Sequence, residues 1–489
     1  MSASLRAKTL ANVGYNALAK GMMFIFQAIA SIVLARNLVS SDYGIVGFAM
    51  IFINFLSQFN DLGINSAVIQ KPGLDEKALY TGFTIKAILG LSIFTASFLF
   101  SPMSKLIFDD HAVVDVIKLL SLTFIINIFA FLPSTLLTRE LNYKKLVISQ
   151  VGFAIANSGI SIILALNGFK YWSIVVSNLC ATIVFVFLIN IINPVKIKFF
   201  FNKKNAYELI SFGSNLFFSG LIVFAIFNID NFIIGAVKGS KMLGYYAIAF
   251  NWGSMICGIL SAVVLSVLFP TFSRIQQDKE RLKNAYLKIL TYISFIGVLA
   301  NLSLLVISKE FLFFILGHGT DKWMPAIAAF RVLCLYGIIR AFLEPVGSVM
   351  LAIRETRQLL VAQVIIAILE IGLLYPALIY FNIEGVAILV TVSYVSAYLI
   401  LFRVLRQKIK LRFNEWIKPI LPVITAGFIA IIAIYPAEYI ISFSFIGAMQ
   451  KLLLFVLLYC SIYGVLTRWR ILKEIKDAIV ELRYQPKQV

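Results

Sequence analysis

The chain has 489 residues, of which 61% are hydrophobic and 13% charged, about half the charged share of a soluble globular domain. A mean hydropathy of +0.93 makes lipid its main solvent and excludes a water-soluble globular enzyme. A net charge of +20 would suggest nucleic acid in a soluble protein, but no nucleic-acid partner is expected here, because the placement of the charges along the chain is that of membrane loops.

A hydrocarbon core of about 30 Å takes roughly 20 apolar residues per helix. In chain order, apolar runs between charged breaks predict helices at 12–35, 43–69, 78–100, 115–137, 146–166, 171–192, 207–236, 243–270, 286–307, 325–352, 358–380, 384–402, 417–435 and 443–466. The expectation is an all-α integral membrane protein of about 14 spans. The start MSASLRAKTLANVGYNALAKG lacks a compact apolar core followed by a small-residue cleavage site, since Asn12, Asn16 and Lys20 interrupt it, and is read as a retained first helix.

Lys and Arg are shared unequally between alternate loops, roughly 29 to 7 when the termini are counted with the richer side. This places both termini in the cytoplasm and the chain in the cytoplasmic (inner) membrane. Between the eighth and ninth spans, TFSRIQQDKERLKNAY (271–286) carries Ile275, Leu282 and Tyr286 at helical spacing, continued by Ile289. A short amphipathic helix along the membrane surface is expected there.

A shift of 200 positions sets 32–49 on 232–249, with Gly44 on Gly244 and Ala49 on Ala249. A shift of 213 sets 150–160 on 363–373, with Gln150 on Gln363, Ala154 on Ala367 and Gly159 on Gly372. The chain therefore reads as two pseudo-symmetric six-helix lobes of like orientation, related by an axis along the membrane normal. The expected boundaries are 1–192 for the first lobe, 193–206 for a lysine-rich cytoplasmic linker, 207–406 for the second lobe, and 407–489 for two extra helices with a cytoplasmic tail.

No GxxxxGK[ST], HExxH or GxSxG motif occurs. Cys180, Cys257, Cys334 and Cys460 lie in four different spans, and His111 and His318 are isolated, so neither a metal nor another cofactor is expected. What remains is polarity inside the spans. Asn12, Asn16, Lys20, Gln27 and Ser31 share one face of the first helix, and Asn54, Gln58, Asp61 and Asn65 one face of the second. Asn215, Ser219, Asn228 and Asp230 mark the seventh span, and Asn251, Ser254 and Ser261 the eighth. Such stripes cannot face lipid cheaply, since a charge at the bilayer centre costs about 2.5–3.5 kcal/mol even on insertion scales.

Further charges within spans are Lys86, Arg331, Arg340, Glu344 and Glu370. Arg340 and Glu344, four residues apart, can neutralise each other, whereas Arg331 has no obvious local partner. Lys20 either binds an anion or pairs with Asp61 or Asp230. Asp61 lies near the inner end of its helix, a position for capping or gating. The candidate cavity residues are Asn16, Lys20, Gln27, Asn54, Gln58, Asp61, Asp230, Asn251, Arg331 and Arg340, a mildly cationic, amide-rich set suited to a phosphate joined to sugars.

DLGINSAVIQKP (61–72), LFPTFSRIQQDKERLKNAYLK (268–288) and EPVGSVMLA (344–352) resemble the polysaccharide transporter family, the Wzx-type flippases of the multidrug/oligosaccharidyl-lipid/polysaccharide superfamily. Within that family the stretches look most like the colanic acid and teichuronic acid exporter branch. The resemblance implies a MATE-like transporter rather than an enzyme. It would carry an undecaprenyl-pyrophosphate-linked oligosaccharide outward by alternating access of two six-helix lobes, with a coupling ion (H+ or Na+) and an associated polysaccharide polymerase left open. On that reading Lys20 and Arg331 hold the pyrophosphate. The rivals are a peptidoglycan-precursor flippase, a cation-coupled multidrug antiporter with Asp230 or Glu370 as its acid, and a polysaccharide polymerase or ligase. The last would need a large outer loop, and the longest here, 309–325, is half apolar.

Overall fold

The computed structural model describes residues 3–108 and 110–469, and for 3–19, 215, 216, 219, 259–267, 269 and 270 the backbone alone. The basic tail from residue 470 onward, and the side chains of Asn12, Asn16, Asn215, Ser219 and Ser261, lie outside the described residues. The helices are α1 (Ala3–Asn37), α2 (Ser40–Asp61), α3 (Ile64–Gln70), α4 (Glu76–Phe100), α5 (Ala112–Ile126), α6 (Ile128–Arg139), α7 (Tyr143–Leu166) and α8 (Trp172–Ile192). They continue as α9 (Lys203–Ile275), α10 (Lys279–Val306), α11 (Ile327–Ala352), α12 (Thr356–Lys408), α13 (Phe413–Ile434) and α14 (Phe445–Thr467), with no strand among the described residues.

Among the described residues, ten stretches are long and apolar enough to cross a membrane, or eleven with the bent pair of α5 and α6 counted as one span. The difference from the larger expected number has local causes. Both α9 and α12 run through two expected spans without an intervening loop, broken only where Gly239 (φ 78°) and Asn382 (φ 51°) leave helical geometry. The side chains of the first third of the first expected span, 12–19, lie outside the described residues. The α5–α6 pair bends by 51° at Asn127. Pro133, one turn into α6, has no N–H to offer the Phe129 carbonyl, which instead accepts from the Asn190 side-chain amide at 3.1 Å.

The surface helix expected over 271–286 is corrected. α9 continues to Ile275, a tight turn follows, and Asp278 caps α10 by accepting from the Arg281 N–H at 3.0 Å. Leu282 and Tyr286 do share a face, but that face is fully buried in protein. The apolar period belongs to the first turns of a long helix and not to a separate one.

Two compact units form the chain. The first comprises 1–249, 316–318 and 366–389. Its core gathers Ile64 and Val68 of α3, Phe83 of α4, Phe131 and Leu132 of α6, and Leu209 of α9, all nearly or fully buried. Within this unit the chain crosses itself at two glycines. A Cβ on Gly44 would stand 1.8 Å from the Ser240 carbonyl oxygen, and one on Gly244 would stand 1.7 Å from that of Ser40. The 200-residue shift carries Ser40 to Ser240 and Gly44 to Gly244, so the two contacts exchange, as in an isologous interface between equivalent pieces. Only glycine permits this approach at either place.

The second unit comprises 250–315, 319–365 and 390–489. Its core is built by Val298 and Leu302 of α10, Val423, Ala426 and Ala430 of α13, and Phe455 and Tyr459 of α14. Lys451 of α14 meets Glu310, just after α10, at 2.5 Å, with side chains only 7% and 4% exposed. This pair ties the last helix to its unit.

Candidate functional site

In the first unit, spacings of three and four residues hold Asn54, Gln58 and Asp61 to one stripe of α2. Asn54 is exposed and Gln58 half-buried. Asp61 closes the helix, where Leu62 (φ 41°) and Gly63 (φ 68°) turn the chain into α3. The Lys86 ammonium of α4, itself buried, donates to the Asn60 carbonyl at 2.7 Å and lies 3.4 Å from Asp61 Oδ1. The Asn65 side-chain amide donates to the same oxygen at 2.5 Å. A lysine so far from water needs such partners.

Lys86 thus takes the place that Lys20 had as an expected partner of Asp61. Asp230, 4% exposed, is also taken: it accepts from the Tyr246 hydroxyl at 2.7 Å and from the Asn231 side-chain amide at 3.0 Å. Pairing of Lys20 with either acid is therefore corrected. Lys20 and Gln27 of α1 are exposed, and Lys20 has no ionic partner among the described residues. The side chain of Asn16 lies outside them. Glu370 of α12 is buried, and its Oε2 has no hydrogen-bond partner among the described residues.

In the second unit, Arg340 Nη2 lies 2.6 Å from Glu344 Oε1, one turn further along α11. Its Nη1 donates to the Tyr336 hydroxyl at 3.2 Å, and the guanidinium stands 5.2 Å from the centre of the Tyr394 ring. This cation is neutralised within its own helix and stacked on an aromatic ring. Arg331 is exposed, and its Nε donates to the Ser308 hydroxyl at 2.8 Å, a neutral partner that local spacing did not reveal. Asn251 is exposed.

The candidates thus divide by chemistry. Lys86 with Asp61, and Arg340 with Glu344, are compensated pairs. Lys20 and Arg331 are cations with no acidic partner among the described residues, able to receive a negative charge from outside the chain. Asn54, Gln58, Gln27 and Asn251 offer donors and acceptors that can replace water around hydroxyl groups. No group of His, Cys, Asp and Glu able to hold a metal ion occurs among the described residues. Sequence reading missed Asn60 as the backbone partner of Lys86, and the Glu310–Lys451 pair. The first sits beside a stripe already identified. The second joins residues 141 positions apart, which no local pattern links.

A family profile described as polysaccharide biosynthesis protein matches residues 33–328. The lipopolysaccharide biosynthesis protein WzxC of Escherichia coli (strain K12) is 25% identical over 360 residues, 71% of either chain. The teichuronic acid biosynthesis protein TuaB of Bacillus subtilis (strain 168) is 23% identical over 305 residues, 60% of either chain. Among solved structures, the lipid II flippase MurJ in an inward closed conformation superposes with a TM-score of 0.76 at 16% identity, covering 93% of this chain and 99% of that one. An inward-facing multidrug-resistance MATE transporter of the MOP superfamily reaches 0.63 at 15% identity, covering 79% and 94%. These likenesses show a shared fold, and the profile match spans more than half of the sequence: the chain belongs to the polysaccharide biosynthesis protein family.

Proposed function

We propose that this protein is a transporter, not an enzyme, that moves an oligosaccharide linked to undecaprenyl pyrophosphate from the cytoplasmic to the outer leaflet of the cytoplasmic membrane. Two six-helix lobes, 1–192 and 207–406, alternate in access around a cavity, with both termini in the cytoplasm. The observation that carries this reading is the pair of exposed cations, Lys20 of α1 and Arg331 of α11, neither of which has an acidic partner among the described residues. The polyprenyl tail can stay in lipid during transfer. The pyrophosphate and sugar hydroxyls cannot, since leaving water unpaired costs several kcal/mol per group. Amide and hydroxyl side chains stand in for the lost water, and the two cations for its screening of the phosphate charge. A membrane potential negative inside favours outward movement of an anion by about 2.3 kcal/mol per charge per 100 mV.

Coupling to an inward H+ or Na+ is a second component of the proposal. The buried acids Asp230 and Glu370 belong to the same unit and have no basic partner among the described residues. The test is transbilayer movement of short undecaprenyl-pyrophosphate oligosaccharides in proteoliposomes, with and without an imposed ion gradient. Wild type should move the lipid, and Lys20→Ala and Arg331→Ala should each slow it at equal protein content. If both variants match wild type, the pyrophosphate is held elsewhere. If wild type moves nothing under any gradient, the flippase reading fails.

A further inference from the structure

A cavity of about 220 Å³ in the first unit lies among α2, α5, the α5–α6 break and α8. Its lining is unusual for an apolar bundle. Four asparagines, Asn54, Asn60, Asn127 and Asn178, are joined by the hydroxyls of Ser57, Thr123 and Thr182, and no charged residue lines it. The hydroxyl protons are already engaged. Ser57 donates to the Asn54 carbonyl at 2.7 Å, Thr123 to Leu120 at 2.6 Å and Thr182 to Asn178 at 2.8 Å. Each hydroxyl therefore has only lone pairs left for the cavity.

Asn60 Oδ1 is buried with no hydrogen-bond partner among the described residues. The side-chain amides of Asn54, Asn127 and Asn178 are likewise without one there. Asn127 is also the residue at which α5 and α6 part by 51°, and interrupted helices are where many secondary transporters expose polar groups to a ligand. Unmet acceptors, a few free amides and a broken helix thus converge on one space.

The chemistry of the lining selects the occupant. An anion needs protons directed at it, and the three hydroxyls have none to give. A bare metal ion would leave most of the volume empty, and the Lys86 ammonium bonded to the Asn60 carbonyl repels one. A ring of hydroxyls satisfies the acceptors with its O–H groups and the asparagine N–H groups with its oxygens. The volume is that of roughly seven water molecules at about 30 Å³ each, enough for one sugar ring.

We infer that this cavity is a subsite for one neutral pyranose of the transported glycolipid, an assignment that rests on the flippase reading. In the source organism with its own gene deleted, the full chain carries a diazirine analogue of methionine at Met50, which lines the cavity, or at the exposed Ile88 of α4 as control. Cells are fed 14C-glucose and irradiated, and the purified protein is treated with mild acid, which cuts the sugar–phosphate bond. A sugar held in the cavity leaves acid-stable label on the Met50 protein, several-fold above the Ile88 control. In parallel, Asn178→Leu combined with Thr182→Val lowers labelled surface polymer about tenfold, the worth of one or two neutral hydrogen bonds, at unchanged protein level and unfolding temperature. Thr182→Ser alone, which keeps the lone pairs, stays near wild type and separates a lost contact from a damaged helix.

If wild type restores surface polymer but Met50 carries no more label than Ile88, the subsite is overturned and the flippase reading stands. If the deletion strain exports polymer unimpaired, the flippase reading falls and takes the subsite with it.

Discussion

Replacing Gly44 by alanine should be far more damaging than adding one methyl group to a helix would suggest. The new Cβ would stand 1.8 Å from the Ser240 oxygen, 2.5 Å from its carbonyl carbon and 2.7 Å from its Cα. All three are backbone atoms, so no rotamer change can relieve the clash. Restoring ordinary contact requires the two segments to part by about 1.6 Å. Overpacking typically costs about 1–3 kcal/mol, and with only backbone to yield the upper end, about 3 kcal/mol, is expected. Gly244→Ala should match it, because its Cβ meets the Ser40 backbone at 1.7 Å. Gly159→Ala is the control: nothing lies within 4 Å of its Cβ, and alanine should gain up to about 1 kcal/mol in helix propensity. The assay is thermal unfolding in nanodiscs followed by tryptophan fluorescence. Since one separation of the segments relieves both clashes, the Gly44→Ala/Gly244→Ala pair should lose at least about 1 kcal/mol less than the sum of the single losses. Wild-type stability in Gly44→Ala, or simple additivity in the double variant, would refute the isologous contact.

The Glu310–Lys451 pair, buried on both sides, should behave asymmetrically. Lys451→Met alone leaves an unpaired buried carboxylate and should cost about 3–5 kcal/mol in the same unfolding assay, while Glu310→Leu with Lys451→Met together should return close to wild type. At the start of α9, the hydrogen bond from Lys71 at 2.6 Å and its charge hold the Glu208 carboxyl below the usual carboxylate range. A group depressed in the folded state contributes stability above its unfolded pKa and loses it as pH falls through the folded value. Lys71→Gln should flatten that acid-side dependence of the unfolding temperature, and high salt should weaken it in wild type, since the pair is exposed. Loss of either cation, in Lys20→Ala or Arg331→Ala, should weaken binding of undecaprenyl pyrophosphate about tenfold or more, the worth of a hydrogen bond to a charged group. Titration of the protein in nanodiscs against the bare pyrophosphate lipid measures this directly.

Hydropathy belongs to each stretch of about twenty residues by itself. The sequence alone therefore determined that this chain is a helical membrane protein, where its apolar segments run, and which polar residues share a helix face. Even the close approach of Gly44 to Ser240 had a trace in the 200-residue shift, since a repeat copies both members of the contact. Period assigns a side chain to a face, however, and not to the neighbour that meets it. It placed Leu282 and Tyr286 together but could not tell a membrane surface from the interior of α10's packing. It set Lys20, Asp61 and Asp230 on stripes, while only the tertiary structure brought Lys86 to Asp61 and Tyr246 to Asp230. The continuity of α9 through Gly239 and the gathering of four asparagines at the Asn127 break were decided there too. Lys86 and Asp61 belong to α4 and the end of α2, and Tyr246 and Asp230 to the two sides of the Gly239 break in α9, so such a contact or a shared cavity exists only once those segments have packed.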